Sequence, residues 1–320
     1  MQSYWMRVNC GKAELERREI AVPEPGPGQL LVRLRAAGLN RGEFITAQGP
    51  WKPIGGEGAG EVVRVGPQVQ DYRAGDRVMA RCAGAFAEYA LVDVVEAMAV
   101  PPALSWEEAA GVPLTWLVSF DMIVRQGQLR AGEWLLVNGV SSGVGVASLQ
   151  LGKLVGAQVI GTSGSAEKLK ALAPLGLDVA LHTRNADFAP AVLEATGGKG
   201  ADLVINAVGG SVFAENVRAM AFEGRLATVG YVDGVLKAEL DLETLHLKRL
   251  TVFGVSNKLR SKAQKAAGVP RFVAEVLPHI ASGRIRPQVD QVVDFGELPA
   301  AKARMEAGQH VGKIVLRLPA

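Results

Sequence analysis

A glycine-rich turn between an apolar strand and a helix restricts the folds possible for this sequence more than any other feature. Trp134–Asn138 is an apolar run, the turn Asn138-Gly139-Val140-Ser141-Ser142-Gly143-Val144-Gly145 follows it, and a helical pattern covers Val146–Val155. Such a helix directs unpaired N–H groups and the positive end of its dipole at the turn, which suits a pyrophosphate. The turn departs from the G-x-G-x-x-G pattern, because Val140 and Ser142 occupy two of its glycine positions. We predict dinucleotide binding here, with a ligand-free tight turn or hairpin as the alternative.

The strand–helix rhythm continues after this turn. Helix-like stretches rich in Ala, Leu, Glu and Lys, such as Ala166–Leu175 and Val212–Phe222, separate further apolar runs. The predicted strands are Gln158–Thr162, Val179–His182, Asp202–Asn206, Arg225–Gly230 and Thr251–Val255. This alternation is typical of repeated βαβ units on a parallel sheet.

The first hundred residues have a different sequence pattern. Short strand-like runs such as Gln29–Leu34 and Gly60–Val65 are separated by Gly, Pro and Asp, which predicts a partly closed barrel or a sandwich. Ser105-x-x-Glu108 has the form of a capping box, and Thr115–Gln126 has the spacing of a buried helix. Near its C-terminus the chain has one more predicted strand, within Gly312–Arg317.

Composition excludes several classes of protein. The 320 residues carry a net charge of +3 without a block of like charges, so we expect no nucleic-acid partner. Cys10 and Cys82 are too few for a disulfide framework or a four-thiolate zinc site. The first residues lack the regions of a signal peptide, and no apolar run approaches the roughly 20 residues of a membrane span. We therefore expect a cytoplasmic protein with no membrane partner.

Several motifs resemble one family in the order in which that family has them. Gly139-x-x-Ser142-Gly143-Val144-Gly145 resembles the A-x-x-G-G-V-G turn of the medium-chain dehydrogenase/reductase superfamily, specifically its zinc-independent quinone oxidoreductase (zeta-crystallin-like) branch. Further matching segments are Gly38-Leu39-Asn40, Gly56–Val62, Ala74–Val78, Gly84–Tyr89, Pro113–Trp116, Gly224–Gly230 and Gly312–Leu316.

The resemblance implies an α/β architecture of two domains. A GroES-like, partly open β-barrel catalytic domain would comprise residues 1–118 and 258–320, and a Rossmann NADPH-binding domain with a doubly wound parallel sheet would comprise 119–257. It also implies a homodimer that forms through the edge strands of the Rossmann domains. The alternating segment Leu236–Leu240 is a candidate for extending that edge, although the same alternation suits a solvent-facing strand of a monomer.

The end of the second parallel strand predicts the cofactor. An NAD site places a carboxylate there, but Gly161-Thr162-Ser163-Gly164-Ser165 has none before Glu167. Hydroxyls and cations accept the 2′-phosphate of NADPH, and the candidates are Ser163, Ser165, Lys168 and Arg184. The resemblance implies that Lys168 is the 2′-phosphate lysine, whereas Thr183 departs from a frequent Tyr. The alternatives are a solvated helix charge for Lys168 and a loop charge for Arg184.

The residues that bind catalytic zinc in relatives are missing. The family's first Cys position falls near Gly38 or Leu39, and its G-H-E motif is Gly55-Gly56-Glu57 in this sequence. The four histidines, which we expect to be surface or structural residues, are His182, His246, His279 and His310. We therefore predict no metal and interpret Glu57 as a structural carboxylate.

The resemblance also implies roles at the reacting centre. Asn40 would reach the nicotinamide and acceptor region, Thr115 would bond near the nicotinamide ribose, and Trp51 would stack on an aromatic acceptor. The alternatives are a turn side chain, a helix cap and loop packing. The strand ends that would line the cofactor crevice contribute Thr162, Asn206, Val208, Gly230, Tyr231, Phe253, Gly254 and Val255.

Without a Lewis acid, acceptors that spread negative charge by resonance are favoured. The sequence therefore predicts an NADPH-dependent quinone oxidoreductase. The alternative is a C=C reductase of an enal, enone or enoyl thioester, and the non-enzymatic alternative is an NADPH- or RNA-binding crystallin-like protein. No Tyr is followed by Lys four places on, so the short-chain reductase mechanism is excluded. No side chain is identified as a general acid, which leaves solvent as the proton source.

Overall fold

The computed structural model describes residues 1–9, 12–45 and 49–319. It contains two compact units, one of Met1–Leu117 with Lys262–Ala320 and the other of Val118–Ser261. Cys10 lies outside the described residues, and Cys82 is buried as a free thiol. The domain bounds given by the resemblance stay a prediction. No helix among the described residues is long and apolar enough to cross a membrane.

The first stretch of the chain is mainly strands. Its elements are β1 (Gln2–Asn9), β2 (Lys12–Glu19), β3 (Gln29–Gly38), α1 (Arg41–Phe44), β4 (Gly49–Pro53), β5 (Glu57–Val65), β6 (Arg77–Arg81), β7 (Tyr89–Asp93), β8 (Met98–Ala99), α2 (Trp106–Ala110) and α3 (Thr115–Phe120). The predicted capping box is present at α2. Ser105 Oγ accepts from the Glu108 N–H at 3.2 Å, and Glu108 Oε2 accepts from the Ser105 N–H at 3.0 Å. Two orphan donors of the helix start are thereby satisfied.

The predicted helix over Thr115–Gln126 changes type halfway. After α3 the backbone continues as a π-helix, Asp121–Gln126, which ends with the Gly127 N–H donating to Met122 O at 2.8 Å. A Cβ on Gly127 would collide with that same carbonyl oxygen, so a side chain is not tolerated there. Sequence periodicity predicted the extent of this helix but not its wider turn.

Strands and helices then alternate. These elements are β9 (Trp134–Asn138), α4 (Gly143–Val155), β10 (Gln158–Ser163), α5 (Ala166–Leu172), β11 (Val179–His182), α6 (Ala189–Ala195), β12 (Ala201–Asn206), α7 (Phe213–Ala219), β13 (Met220–Thr228), α8 (Leu242–Leu247) and β14 (Thr251–Gly254). The remaining elements are α9 (Lys262–Ala266), α10 (Val269–Glu275), α11 (Leu277–Ala281), β15 (Val289–Asp294), α12 (Leu298–Glu306) and β16 (Lys313–Arg317).

Two expected elements and one candidate edge segment differ most from the structure. The strand expected over 225–230 begins at Met220, which pairs with Ala201, and ends at Thr228. The helix expected over 212–222 is therefore cut at Ala219. Residues 236–240, expected as an extended edge, have no strand conformation in this chain.

The second unit is a six-stranded parallel sheet in the order β11-β10-β9-β12-β13-β14. Numbered within the unit this is 3-2-1-4-5-6, the doubly wound order, and it confirms the predicted fold class. One face is covered by α6 and α7, which contribute Val192 and Val217 to a core with Leu136 and Val204. The order reverses beside β9, so the glycine-rich turn lies at the switch point, where such sheets bind ligands.

The first unit has two sheets. The larger has the order β15-β16-β3-β5-β6-β8, with β7 also paired to β3, and the smaller has the order β2-β1-β4. All pairs are antiparallel except β15 with β16. Phe86, Leu34, Val78 and Leu316 lie in its core. Because β16 pairs with β3, a late segment of the chain completes the sheet begun by early strands.

Candidate active site

The turn after β9 is built for close approach of backbone to a ligand. Gly139 has φ of +70°, and its N–H donates to Thr162 Oγ1 at 3.3 Å. A Cβ on Gly145 would lie 2.5 Å from the carbonyl oxygens of Gly139 and Val140, so only glycine packs there. Ser142 caps α4 by accepting from the Gly145 N–H at 3.1 Å.

The first turn of α4 carries no acidic residue, and the helix is 13 residues long. Its dipole is therefore not neutralised at the end where Gly143 and Val144 begin the helix, and Ser141 is partly exposed just before it. These features fit a bound pyrophosphate.

Ser163, Ser165 and Arg184 of the predicted 2′-phosphate residues lie together at the end of β10, and Lys168 contributes its backbone N–H. The Arg184 side chain lies over Gly164 so closely that a Cβ on this glycine would collide with the guanidinium Nε. Ser163 Oγ accepts from the Ser165 N–H at 3.3 Å, and Ser165 Oγ caps α5 by accepting from the Lys168 N–H at 3.4 Å. The structure thus gathers two hydroxyls, one guanidinium and the first turn of a helix around Gly164. This donor set fits a phosphate.

The loops after β12 and β13 are joined by a carboxylate that sequence reasoning missed. Asp233 Oδ2 accepts from Ser211 N–H at 2.9 Å and Oγ at 2.6 Å, and Oδ1 accepts from the Val235 N–H at 2.8 Å. Burial raises the pKa of Asp233, but these hydrogen bonds outweigh it and hold that pKa below its usual value. Gly209, at φ of +132°, leaves room for this carboxylate. The glycines in Gly209-Gly210 and Asp233-Gly234 were the available signal.

Asn206 uses its side chain within its own loop. Its Oδ1 accepts from the N–H groups of Val208 and Gly209, both at 3.0 Å, and its Nδ2 donates to Gly209 O at 2.9 Å. Asn206 would therefore influence a bound cofactor by fixing the conformation of this loop, not by contacting the cofactor with its side chain.

The other predicted strand-end positions differ in exposure. Val208, Gly230 and Phe253 are partly exposed, and Gly254 is exposed. Tyr231 is half exposed, whereas the Val255 side chain is buried. Thr162 is also buried, beneath the glycine turn.

Asn40 belongs to a polar cluster in the first unit, formed with Glu43, Glu57 and Lys313. Asn40 Nδ2 lies 2.9 Å from Glu43 Oε1 and 2.9 Å from Glu57 Oε1. The Lys313 ammonium donates to Asn40 Oδ1 at 2.8 Å, to Glu57 Oε1 at 2.6 Å and to Leu39 O at 2.8 Å. Glu57 Oε2 accepts from the Leu114 N–H at 2.7 Å. Sequence reasoning interpreted Glu57 as structural and missed Glu43 and Lys313 as partners.

Burial shifts Glu43 of this cluster towards its neutral form. Burial raises its pKa to about 7, against the lowering effects of Lys313 and the Asn40 hydrogen bonds, and Glu57 adds to the rise. The pKa of the nearby Cys82 thiol is raised to about 12 by burial and by the carboxylates Glu57, Glu43 and Glu96. Cys82 therefore stays a neutral thiol at physiological pH.

The donor set of the cluster does not fit zinc. Where zinc-dependent relatives have their G-H-E motif, this chain offers one carboxylate that already pairs with an ammonium at 2.6 Å. Among the described residues, no group of three or more His, Cys, Asp or Glu side chains is arranged to hold a metal ion. Zinc needs neutral imidazole, thiolate or carboxylate ligands, and an ammonium repels it.

Trp51 and Thr115 have partners of their own. The Arg7 and Arg18 guanidinium carbons lie 5.0 and 4.7 Å from the Trp51 ring centroid, so cations from β1 and β2 already face this ring. Thr115 is buried and its Oγ1 donates to Gly111 O at 3.0 Å, the carbonyl four residues earlier, rather than accepting a helix-cap bond. These contacts favour a packing role for Trp51, which lies on β4 rather than in a loop, and a local structural role for Thr115.

The chain resembles known dehydrogenases in both units. Residues 26–102 match the family described as Alcohol dehydrogenase GroES-like domain, and residues 143–269 match the family described as Zinc-binding dehydrogenase. The human synaptic vesicle membrane protein VAT-1 homolog is 31% identical over 326 residues, which cover 95% of this chain and 83% of that protein. A phenolphthiocerol/phthiocerol polyketide synthase of Mycobacterium tuberculosis is 32% identical over 316 residues. That match covers 95% of this chain, which spans 14% of the length of the synthase.

The whole chain is also similar in fold to solved structures. The structure of mycobacterial Rv1454c complexed with NADPH has a TM-score of 0.90 and 27% identity, covering 99% of this chain and 100% of that chain. A quinone oxidoreductase of Pseudomonas syringae pv. tomato DC3000 has a TM-score of 0.86 and 27% identity, with the same coverage.

Proposed function

This chain belongs to the medium-chain dehydrogenase/reductase superfamily, in its zinc-independent quinone oxidoreductase-like branch, and we propose that it reduces a quinone. It is an NADPH-dependent oxidoreductase, as these relatives indicate.

One observation carries the choice of acceptor. The Lys313 ammonium occupies the place beside Glu57 and Asn40, so the donor set does not suit a Lewis-acid metal. Reduction of an isolated carbonyl builds a localised alkoxide, which such a metal would stabilise. A quinone spreads the incoming charge over its ring and second oxygen, and needs less help from the protein. The quinone oxidoreductase from Pseudomonas syringae supports the same class.

The residues of the second unit would hold the cofactor at two points. The turn Gly139–Gly145 and the start of α4 would bind the pyrophosphate, and Ser163, Ser165, Lys168 and Arg184 would bind the 2′-phosphate. NADPH, when bound, supplies a hydride. The hydride and one proton convert a quinone into a hydroquinone, with solvent as the proton source.

Reduction of an activated C=C bond is the second candidate. The observation that favours it is the 32% identity to a polyketide synthase over 316 residues of this chain. An α,β-unsaturated carbonyl delocalises charge as a quinone does, so a polar cluster that does not suit a metal is compatible with it too.

A substrate panel separates these candidates. Stopped-flow measurement of NADPH oxidation with 1,4-benzoquinone, 9,10-phenanthrenequinone and an alkenal should show the highest kcat/KM for a quinone. Turnover of the alkenal without the quinones would replace the proposal by the second candidate. No oxidation with any acceptor, together with tight NADPH binding, would favour a binding protein. RNA affinity that falls steeply with salt would identify the RNA-binding alternative.

A further inference from the structure

We propose that Glu43 is a positioning residue: with Lys313 and Glu57 it fixes the orientation of the Asn40 side-chain amide, and its ionisation controls how firmly that amide is held. The consequence for turnover rests on the proposed function, in which Asn40 contacts the reacting centre. The geometry itself concerns only the first unit.

Each end of the Asn40 side-chain amide is hydrogen-bonded to groups of the charge that suits it. Its oxygen accepts from the Lys313 ammonium at 2.8 Å, and its nitrogen donates to Glu43 and Glu57, both at 2.9 Å. Rotation of the amide by 180° would place its N–H groups against the ammonium and its oxygen against two carboxylates. With Glu43 ionised, three charge-assisted hydrogen bonds would become three repulsive contacts. With Glu43 protonated, the contacts to Lys313 and Glu57 alone specify the orientation. In that orientation both N–H donors are used, and Asn40 has only acceptor capacity left for a ligand.

Glu43 is the member of the cluster whose charge changes near neutral pH. Glu57 has further partners in Lys313 at 2.6 Å and the Leu114 N–H at 2.7 Å. In the part of the chain that the structure describes, Glu43 has hydrogen bonds only to Asn40, through Oε1 to Nδ2 and through Oε2 to the backbone N–H at 3.0 Å. A Cβ on Gly56 would lie 2.8 Å from Glu43 Oε1, so glycine at this position makes room for the carboxyl.

Two charged groups on other elements act on the titration of Glu43, Lys313 on β16 and Glu57 on β5. The buried thiol of Cys82 after β6 lies near them but stays neutral at pH 7, because its pKa is raised to about 12. On α1 itself, Arg41 donates to the carbonyls of Met305 and Glu306, away from this carboxyl. On α12, Lys302 pairs with Glu306 at 2.7 Å.

Ionisation changes the strength of the Asn40 bonds. The ionised carboxylate accepts from Asn40 at both oxygens, whereas the protonated acid loses the charge that strengthens these bonds. Since the pKa of Glu43 is raised to about 7, the change falls within the physiological range. The amide is therefore held more firmly as pH rises through neutrality.

The central experiment compares wild type with Glu43→Gln, which keeps the shape and removes the titration. Glu275→Gln, at an exposed ion pair on α10, is the matched control. In wild type and in the control, kcat should rise up to about tenfold from pH 6 to pH 8, the range over which such a group goes from about one-tenth to nine-tenths ionised. In Glu43→Gln this step should vanish, with the Kd for NADPH unchanged. Retention of the wild-type pH step in Glu43→Gln would overturn the proposal.

A second measurement requires neither turnover nor that variant. The side-chain amide resonances of Asn40 in a ¹⁵N spectrum, assigned by their loss in Asn40→Asp, should shift with a single midpoint near pH 7. Resonances that stay fixed between pH 5.5 and 8.5 would refute control by Glu43 even if the protein reduces quinones. A midpoint near 7 in a protein that reduces no acceptor would support the positioning and reject the proposed function instead.

Discussion

Lys168 is the residue that most directly tests the choice of cofactor. It lies in the first turn of α5, where its backbone N–H donates to Ser165 Oγ at 3.4 Å. A charge-assisted hydrogen bond to phosphate contributes roughly 1.5–3 kcal/mol. Lys168→Ala should therefore weaken NADPH binding more than tenfold and hardly change NADH binding, as measured by cofactor fluorescence.

Lys170→Ala, on the same helix but in its last turn, is the matched control and should leave both affinities unchanged. The effect of Lys168→Ala should shrink at high salt because the site is partly exposed. Equal NADPH and NADH affinities in the wild type would contradict the assignment of this strand end.

Glu43 should also make stability depend on pH. Its carboxyl keeps its proton to about pH 7 in the folded chain but releases it near the ordinary 4.5 when unfolded. Between these values the unfolded state binds fewer protons, so the free energy of unfolding falls as pH rises. The loss is at most about 3 kcal/mol, and partial exposure of Glu43 reduces it.

Glu43→Gln should remove this loss. Urea unfolding at pH 5 and pH 8 should show the variant gaining stability relative to wild type at the higher pH, while Glu275→Gln tracks wild type. Parallel curves for Glu43→Gln and wild type would show that the carboxyl titrates normally in the folded protein.

At the scale of elements, Asp233 joins two loops that follow adjacent strands. Replacing it by Ala removes acceptors for the Ser211 and Val235 N–H groups. Each lost bond to a charged group costs about 1.5–3 kcal/mol, so hydrogen exchange at these two amides should accelerate at least about tenfold. Amides in β10 serve as the internal reference. Unchanged exchange at Ser211 would mean that the loops are held by other contacts.

Local patterns predicted the parallel strands well, and Trp134–Asn138 and Val179–His182 have the predicted bounds. Local patterns wrongly predicted a helix at Met220, because the pairing of this residue with Ala201 is a tertiary contact that overrides its local preference for a helix. The polar cluster could not be derived either. Lys313 is 256 residues from Glu57 in the sequence, and the pairing of both β16 and β5 with β3 brings them together.

At the scale of the whole molecule, the homodimer implied by the resemblance stays a prediction. β14 is an edge strand of the parallel sheet, and Val252 on it is 40% exposed. Leu236 and Leu247 in the same unit are 72% and 65% exposed. We expect light scattering to give twice the chain mass at micromolar concentration, because an unpaired edge with apolar neighbours favours pairing.

Val252→Lys should shift this equilibrium towards the monomer, since an edge lysine opposes strand pairing. Val63→Lys, at another 40% exposed strand valine, is the control and should leave the mass unchanged. A monomer in the wild type would refute the prediction.

The discontinuous first unit has a consequence for biosynthesis. The strands β1–β8 leave the ribosome before β16, and the whole second unit is translated between them. Until residue 317 emerges, β3 lacks its neighbour β16, and Asn40, Glu43 and Glu57 lack the ammonium that balances them. The nascent first unit thus has a desolvation cost that no earlier cation in the cluster offsets. The second unit is contiguous in sequence and meets no such delay, so we expect it to complete its fold first and the first unit to close around Lys313 afterwards.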